Sequence, residues 1–234
     1  MTRKQYLAEI FKAYSLVSVL SDKNECKVLR VRSKSLSKDM VVRSFPSAVA
    51  AYEELYSINS PNLPLIYDVV NLDDGQVVLE EFINGVTVSD VMESGKYRYS
   101  GVRNVIRSVC SALTILHQRN LVHRDIKPEN IMISNDGRVV LIDFNAARRI
   151  SIAKKDTVVM GTVGYASPEQ LGVAQSDART DIYAVGVLLN VMITGKHPSV
   201  LLASGKAGKI VRKCTAINPS DRYPSADALL NAVR

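Results

Sequence analysis

One stretch constrains this chain more than any other: His123-Arg124-Asp125-Ile126-Lys127-Pro128-Glu129-Asn130, followed eighteen residues after Asp125 by Asp143-Phe144-Asn145. Six positions hold a carboxylate, an ammonium and an amide. The apolar run Val139-Val140-Leu141-Ile142 then leads, as a strand would, into a second carboxylate. Handling a metal-bound triphosphate requires such a set. One carboxylate orients a hydroxyl, a second carboxylate and an amide oxygen meet a hard cation, and a fixed positive charge faces the phosphoryl group. Any one of these residues alone reads as ordinary charged loop. Their order and spacing together argue for phosphoryl transfer.

The rest of the chain is compatible with a large soluble domain. At 234 residues it can bury a substantial core, as one domain or two packed lobes. No apolar run approaches the roughly 20 residues that span a bilayer, and the start shows no secretory signal. The expected setting is cytoplasmic. Cys26, Cys110 and Cys214 are odd in number and far apart, without metal-ligand spacing, and suit reduced thiols. The net charge of +7 is dispersed, and aromatic residues make up only 6%, so no base-stacking platform for nucleic acid is evident.

Local patterns divide the chain. Residues 5–19 read as a short helix leading into a strand. Segments 26–32 and 39–45 are apolar and β-branched around a polar turn, which predicts a hairpin. Pro46 opens a helical stretch over 47–57. Strands at 65–71 and 76–82 flank the turn Asp73-Asp74-Gly75. Beyond Gly85 helices dominate: 102–119, 179–193, 205–215 and 224–233, with short strands on either side of Asn135-Asp136-Gly137.

Taken with the catalytic stretch, these residues resemble the eukaryotic-like (Hanks-type) Ser/Thr protein kinases, particularly bacterial ones. The supporting motifs are Gly161-Thr162-Val163-Gly164-Tyr165-Ala166-Ser167-Pro168-Glu169-Gln170, Asp181-Ile182-Tyr183-Ala184-Val185-Gly186 and Asp221-Arg222-Tyr223. The resemblance implies an α+β, two-lobed protein-kinase-like fold. A β-rich N-lobe would span 1–82 and an α-helical C-lobe 83–234. It implies ATP with Mg2+ or Mn2+, and a protein substrate bearing Ser or Thr. Asp125 would orient the acceptor hydroxyl and take its proton, and Lys127 would stabilise the phosphoryl group. Asn130 and Asp143 would hold the metal. Val28, Val41 and Met132 would enclose adenine, with Glu81 and Ile83 offering backbone groups to it. Thr162 would contact Asp125 and Lys127, Glu169 would pair with Arg222, and Asp181 would brace the catalytic loop through backbone amides. Arg124 would bind a phosphorylated loop, with Thr157 the first candidate acceptor and Ser151 the second.

The upstream half departs from that family. The three glycine positions of the nucleotide-covering loop hold Ser21, Lys23 and Cys26. Arg43 stands where a phosphate-anchoring Lys is expected, and the two are not interchangeable. The position of the usual Glu partner holds Ala51, with Glu53 and Glu54 displaced. Glu80 falls at a position that is normally apolar. A buried charge there requires a partner, and Arg43 is the candidate. A one-residue register shift would instead send Glu80 to solvent. Asn145 replaces a Gly, and Asn tolerates positive φ next best. These departures support an alternative, a pseudokinase-like nucleotide-binding or scaffolding module. A small-molecule phosphotransferase is a third reading, opposed by the segment around Thr162.

Overall fold

The structure, a computed structural model, describes residues 1–23, 25–95, 99–150, 162, 164–171 and 176–233. The chain divides into two units, Met1–Ser60 with Pro64–Ile83, and Pro61–Leu63 with Asn84–Arg234.

The first unit opens with helix α1 (Arg3–Ala13). Its start is fixed by a capping box in which the Thr2 side chain accepts from the Gln5 N–H and the Gln5 side chain accepts from the Thr2 N–H. As the sequence predicts, the short helix leads directly into a strand. The change falls at Tyr14, which pairs with Ser33 as the first residue of strand β1 (Tyr14–Lys23). β2 (Cys26–Ser33), β3 (Asp39–Phe45), helix α2 (Ala50–Leu55), β4 (Ile66–Leu72) and β5 (Gly75–Glu81) follow. The strands form one antiparallel sheet in the order β1-β2-β3-β5-β4.

Strand alternation assigns the two faces of this sheet. Leu29, Val31, Met40, Val42 and Val77 share one face and pack beneath Tyr6, Leu7, Ile10 and Phe11 of α1. Val28, Val41, Arg43, Val78 and Glu80 share the other, as the direct pairings Val28–Arg43, Arg43–Val78 and Val41–Glu80 require. α2 is shorter than the predicted 47–57. Val49 at its N-cap has no side-chain oxygen to offer the first turn. What holds it is packing: Tyr52 is fully buried and stacks on Phe45 with ring centroids 5.4 Å apart.

The second unit comprises β6 (Gly85–Thr87), α3 (Val88–Glu93), α4 (Tyr99–His117), β7 (Leu121–Val122), β8 (Ile131–Ser134), β9 (Val139–Leu141), β10 (Arg148–Arg149), α5 (Ala178–Thr194), α6 (Gly205–Cys214) and α7 (Ala226–Val233). β6, β8 and β9 form a three-stranded sheet, and β7 pairs with β10. Val102, Val105, Ile106, Val109, Leu113 and Leu116 repeat at helical spacing on α4, and all are buried. α4 packs on α5 and α7, and α5 on α6. Gly85 is dictated by close approach, since a Cβ there would collide with the Ile133 carbonyl. Residues 61–63 join this unit because Asn62 donates to the Val139 carbonyl at 2.8 Å and accepts from the Leu141 N–H at 3.0 Å. All three cysteines are free, and burial pushes the Cys110 thiol up to about 12. Among the described residues, no helix is long and apolar enough to cross a membrane.

Candidate active site

The catalytic stretch follows β7 and ends in a 3-10 turn, Pro128–Asn130, which enters β8. Pro at the first position of that turn fixes φ without removing a needed donor. Arg124, just before Asp125, adopts a left-handed backbone with φ 70°. Such a conformation costs about 1–3 kcal/mol for a non-Gly residue, so the surroundings must impose it. They do so through Asp181 at the start of α5. Its fully buried carboxylate accepts from the His123 N–H at 2.9 Å, the Arg124 N–H at 2.8 Å and lies 2.9 Å from His117 Nε2. Burial opposes its charge. The hydrogen bond and electrostatic interaction with His117 and the Arg124 N–H outweigh that, and the carboxyl titrates below its usual range. Gln170 completes the brace by donating to the Arg124 carbonyl at 2.8 Å.

Asp125 sits at the centre of a closed set of contacts. Oδ2 accepts from Asn130 Nδ2 at 2.8 Å and pairs with Lys127 Nζ at 2.8 Å. Oδ1 accepts from the Thr162 hydroxyl at 2.7 Å, and that hydroxyl accepts from Lys127 Nζ at 2.9 Å. Burial pushes the Asp125 carboxyl up, but Lys127, Thr162 and Asn130 together hold it below the usual carboxylate range. A carboxylate held so firmly ionised is a weak base and a strong acceptor. Such a group is suited to orienting a hydroxyl more than to deprotonating it early.

Two residues tie this loop to the second carboxylate. The Asn130 carbonyl accepts from the N–H of Ile142, the residue before Asp143, at 2.9 Å. His123 Nδ1 accepts from the Asp125 N–H at 3.3 Å, which assigns the ring proton to Nε2, 3.3 Å from the Ile142 carbonyl. Burial lowers the His123 pKa, so the ring stays neutral in this role. Its edge contact with Phe144, centroids 5.4 Å apart, fixes the ring plane. The loop carrying Asp125 and the backbone leading into Asp143 are therefore held by the same two residues, Asn130 through its carbonyl and His123 through its ring.

Asp143 carries the positive φ of this segment, 67°, and its Oδ1 accepts from the Asn145 N–H at 3.4 Å. This corrects the expectation at Asn145, which is not among the residues with positive φ. Asn130 uses its Nδ2 on the side chain and carbonyl of Asp125, so its Oδ1 is the atom with acceptor capacity for a cation. The donor set is an amide oxygen and a carboxylate, both hard. It fits a hard divalent ion that takes one or two protein oxygens and completes its shell with phosphate and water.

In the first unit, Arg43 Nε donates to Glu80 Oε1 at 2.6 Å, with both residues more than nine-tenths buried. They are diagonal neighbours on adjacent strands, which removes the alternative of a register shift. Glu53 is engaged elsewhere, accepting from Asn71 at 2.7 Å. Val28 and Val41 flank Arg43 on the same face of the sheet. Glu81 points to the opposite face, where its N–H donates to the Leu65 carbonyl and its carboxylate accepts from the Leu65 N–H. Ile83 is buried just past β5. Lys23 is exposed, and Ser21 and Cys26 are half-buried. Met132 lies on β8 of the second unit, half-buried and opposite Thr87 and Val140. Thr157 and Ser151 lie outside the described residues.

Supporting the site from below, Arg222 makes a two-pronged pair with Glu169 at 2.6 and 2.9 Å. Its guanidinium also donates to the carbonyls of Ala216, Arg179 and Ile217. Sequence reasoning identified this pair and the Asp181 brace. It missed His117, His123 and Gln170. His123 and Gln170 were visible as end residues of quoted motifs, whereas His117 carries no local signal because its partner, Asp181, is far away in the chain.

Comparison with known proteins agrees with this geometry. Residues 15–228 match the family described as protein kinase domain. Serine/threonine-protein kinase PknL of Mycobacterium tuberculosis is 34% identical, over 74% of this chain and 50% of its own length. Serine/threonine-protein kinase PknB of Mycolicibacterium smegmatis is 29% identical, over 86% of this chain and 35% of its own. PknB of Mycobacterium leprae is 27% identical, over 100% and 40% respectively. The chain thus spans about half or less of the length of these relatives. With a matched domain over nearly its whole length and this arrangement around Asp125, the chain belongs to the protein kinase family, in its bacterial Hanks-type Ser/Thr branch.

Proposed function

We propose that this domain transfers the terminal phosphoryl group of ATP to a Ser or Thr hydroxyl of a protein, assisted by Mg2+ or, in its place, Mn2+. The observation that carries this reading is the closed set Asp125–Lys127–Thr162–Asn130, tied through Asn130 and His123 to the segment that presents Asp143. Asp125 Oδ1 and Oδ2 have the lone pairs to align an incoming hydroxyl and receive its proton late in the reaction. Lys127 supplies a cation beside the same carboxylate, placed to balance charge on the phosphoryl oxygens. Asn130 Oδ1 and Asp143 would hold the metal, which when bound neutralises phosphate charge. The position of Thr162, hydrogen-bonded to both catalytic side chains, favours a hydroxyl acceptor on a peptide laid along this segment.

In the N-terminal unit, Arg43 held by Glu80 takes the role of phosphate anchor, and Val28 and Val41 the role of apolar cover for adenine. Met132 would contact adenine. Glu81 and Ile83 would offer backbone groups to the base edge. Protein rather than nucleic acid is the proposed acceptor, and a reducing, cytoplasmic setting suits three free thiols. The test is transfer of labelled phosphate from ATP to a generic protein substrate with Mg2+ or Mn2+. Asp125→Ala is expected to lower the rate at least about 100-fold. Equal signal from native and variant protein would overturn catalysis and leave a binding module.

A further inference from the structure

Helix α1 and the sheet of the first unit leave a cleft of about 110 Å³ between them. It is lined by Tyr6 and Ile10 of α1, Tyr14 at the start of β1, Asp68 of β4, and Val77 and Leu79 of β5. This is the face of the sheet opposite Arg43 and Glu80, so none of the chemistry above uses it. A bulge in β4 between Ile66 and Asp68 sets Asp68 directly across from Leu79. The Asp68 Oδ2 accepts from the Tyr6 hydroxyl at 3.2 Å, and its Oδ1 from the Val69 N–H at 2.9 Å. Both donors are neutral. Among the described residues no Lys, Arg or His pairs with Asp68, and no lining residue is cationic. A carboxylate has about four lone-pair sites, so about two remain for another partner. Burial, and then the nearby Asp68 carboxylate, push the Tyr6 phenol up, so its ring stays neutral beside that charge.

A carboxylate without a counter-ion, two phenol rings and three aliphatic chains select a particular guest. A hard metal ion asks for about six oxygens, whereas half of this lining is hydrocarbon. An ammonium carrying methyl groups is attracted to ring faces and to the carboxylate, and its methyls suit apolar walls. A cavity of about 150 Å³ holds benzene, so one of about 110 Å³ suits about four or five heavy atoms. We propose that this cleft binds a methylated ammonium ion. Its methyl groups lie against Ile10, Val77 and Leu79, and its charge faces Asp68 and the rings of Tyr6 and Tyr14.

Tetramethylammonium is the probe, titrated at an ionic strength held with NaCl into the full chain carrying 13C-labelled methyl groups. Saturable shifts are expected at Ile10, Val77 and Leu79. The neutral tert-butanol, close in size and shape, should bind at least about tenfold weaker, and the larger tetraethylammonium should be excluded. Asp68→Asn keeps an acceptor for Tyr6 and removes the charge, and should weaken binding about tenfold. Tyr14→Leu removes one ring and should weaken it roughly fivefold. If neither variant folds, the preference of the native chain over tert-butanol decides. Non-saturating shifts, equal affinity for tert-butanol or tetraethylammonium, displacement of the probe by an equal concentration of potassium chloride, or native affinity in either folded variant would overturn the site.

Discussion

Arg43 and Glu80 form a buried ion pair within a single sheet, Nε to Oε1 at 2.6 Å, on adjacent strands β3 and β5. The pair explains how two charges tolerate positions where an ammonium and an apolar side chain would be expected. The attraction between the charges offsets desolvation that either alone would leave uncompensated, and a planar guanidinium suits a carboxylate partner.

Breaking that pair from one side leaves a buried charge. Glu80→Ala is expected to destabilise the N-terminal unit by about 3–5 kcal/mol. The double variant Arg43→Met/Glu80→Leu should cost clearly less than the single one, because no unmatched charge remains. Urea unfolding followed by signals from the sheet distinguishes the two. A single variant as stable as the native chain would mean that the pair has no structural role.

Thr162 tests whether the contacts of Asp125 matter for rate. Thr162→Val keeps the shape and removes the hydroxyl that donates to Asp125 Oδ1 and accepts from Lys127. Phosphoryl transfer should fall roughly 10- to 100-fold while nucleotide affinity stays near native, since only orientation is lost. Thr162→Ser should recover most of the rate. A parallel loss of ATP affinity would contradict an orienting role.

Acid should destabilise the C-terminal unit in two steps, both of the same sign. The folded pKa of His123 lies below its ordinary value. The unfolded chain therefore binds the proton more readily, and stability falls as pH drops below about 6.5. Asp181, Asp125 and Glu169 also have depressed folded pKa values. Their contribution is complete above the ordinary carboxylate range, about 4, and is lost as pH falls through the folded values. Thermal melts from pH 8 to pH 3 should show both steps. His123→Asn should remove the upper one alone, and its persistence would assign that step to another group.

Gly186 on α5 faces α6, and a Cβ there would collide with the Cβ of Cys214 and approach Thr215 Cγ2 at 3.1 Å. Helix propensity favours Ala over Gly by about 1 kcal/mol. Overpacking typically costs about 1–3 kcal/mol, and here the obstacle is a rigid Cβ on a helix. Gly186→Ala should therefore lower the melting temperature. An unchanged or higher value would show that α5 and α6 can move apart freely.

Local chemistry made part of this molecule readable from its sequence. The turn Asp73-Asp74-Gly75 and the β-branched runs around it specify a hairpin, and the spacing of Val105, Ile106, Val109 and Leu113 specifies a buried helix face, because each signal depends on neighbours a few residues away. The motif from His123 to Asn130 likewise marked, from close spacing alone, residues that the structure gathers around Asp125. Other features depended on partners far along the chain. α1 stops at Ala13 because Tyr14 pairs with Ser33. The Glu80 side chain meets Arg43 because the register of β3 on β5 places both on one face, and a single-residue slip would have parted them. Positive φ falls at Asp143 rather than Asn145. The tether that aligns the two aspartates passes through the Asn130 and Ile142 backbones and the His123 ring. Sequence patterns record what each residue prefers beside its neighbours, whereas register, face and backbone strain are set by contacts that exist only once distant segments have met.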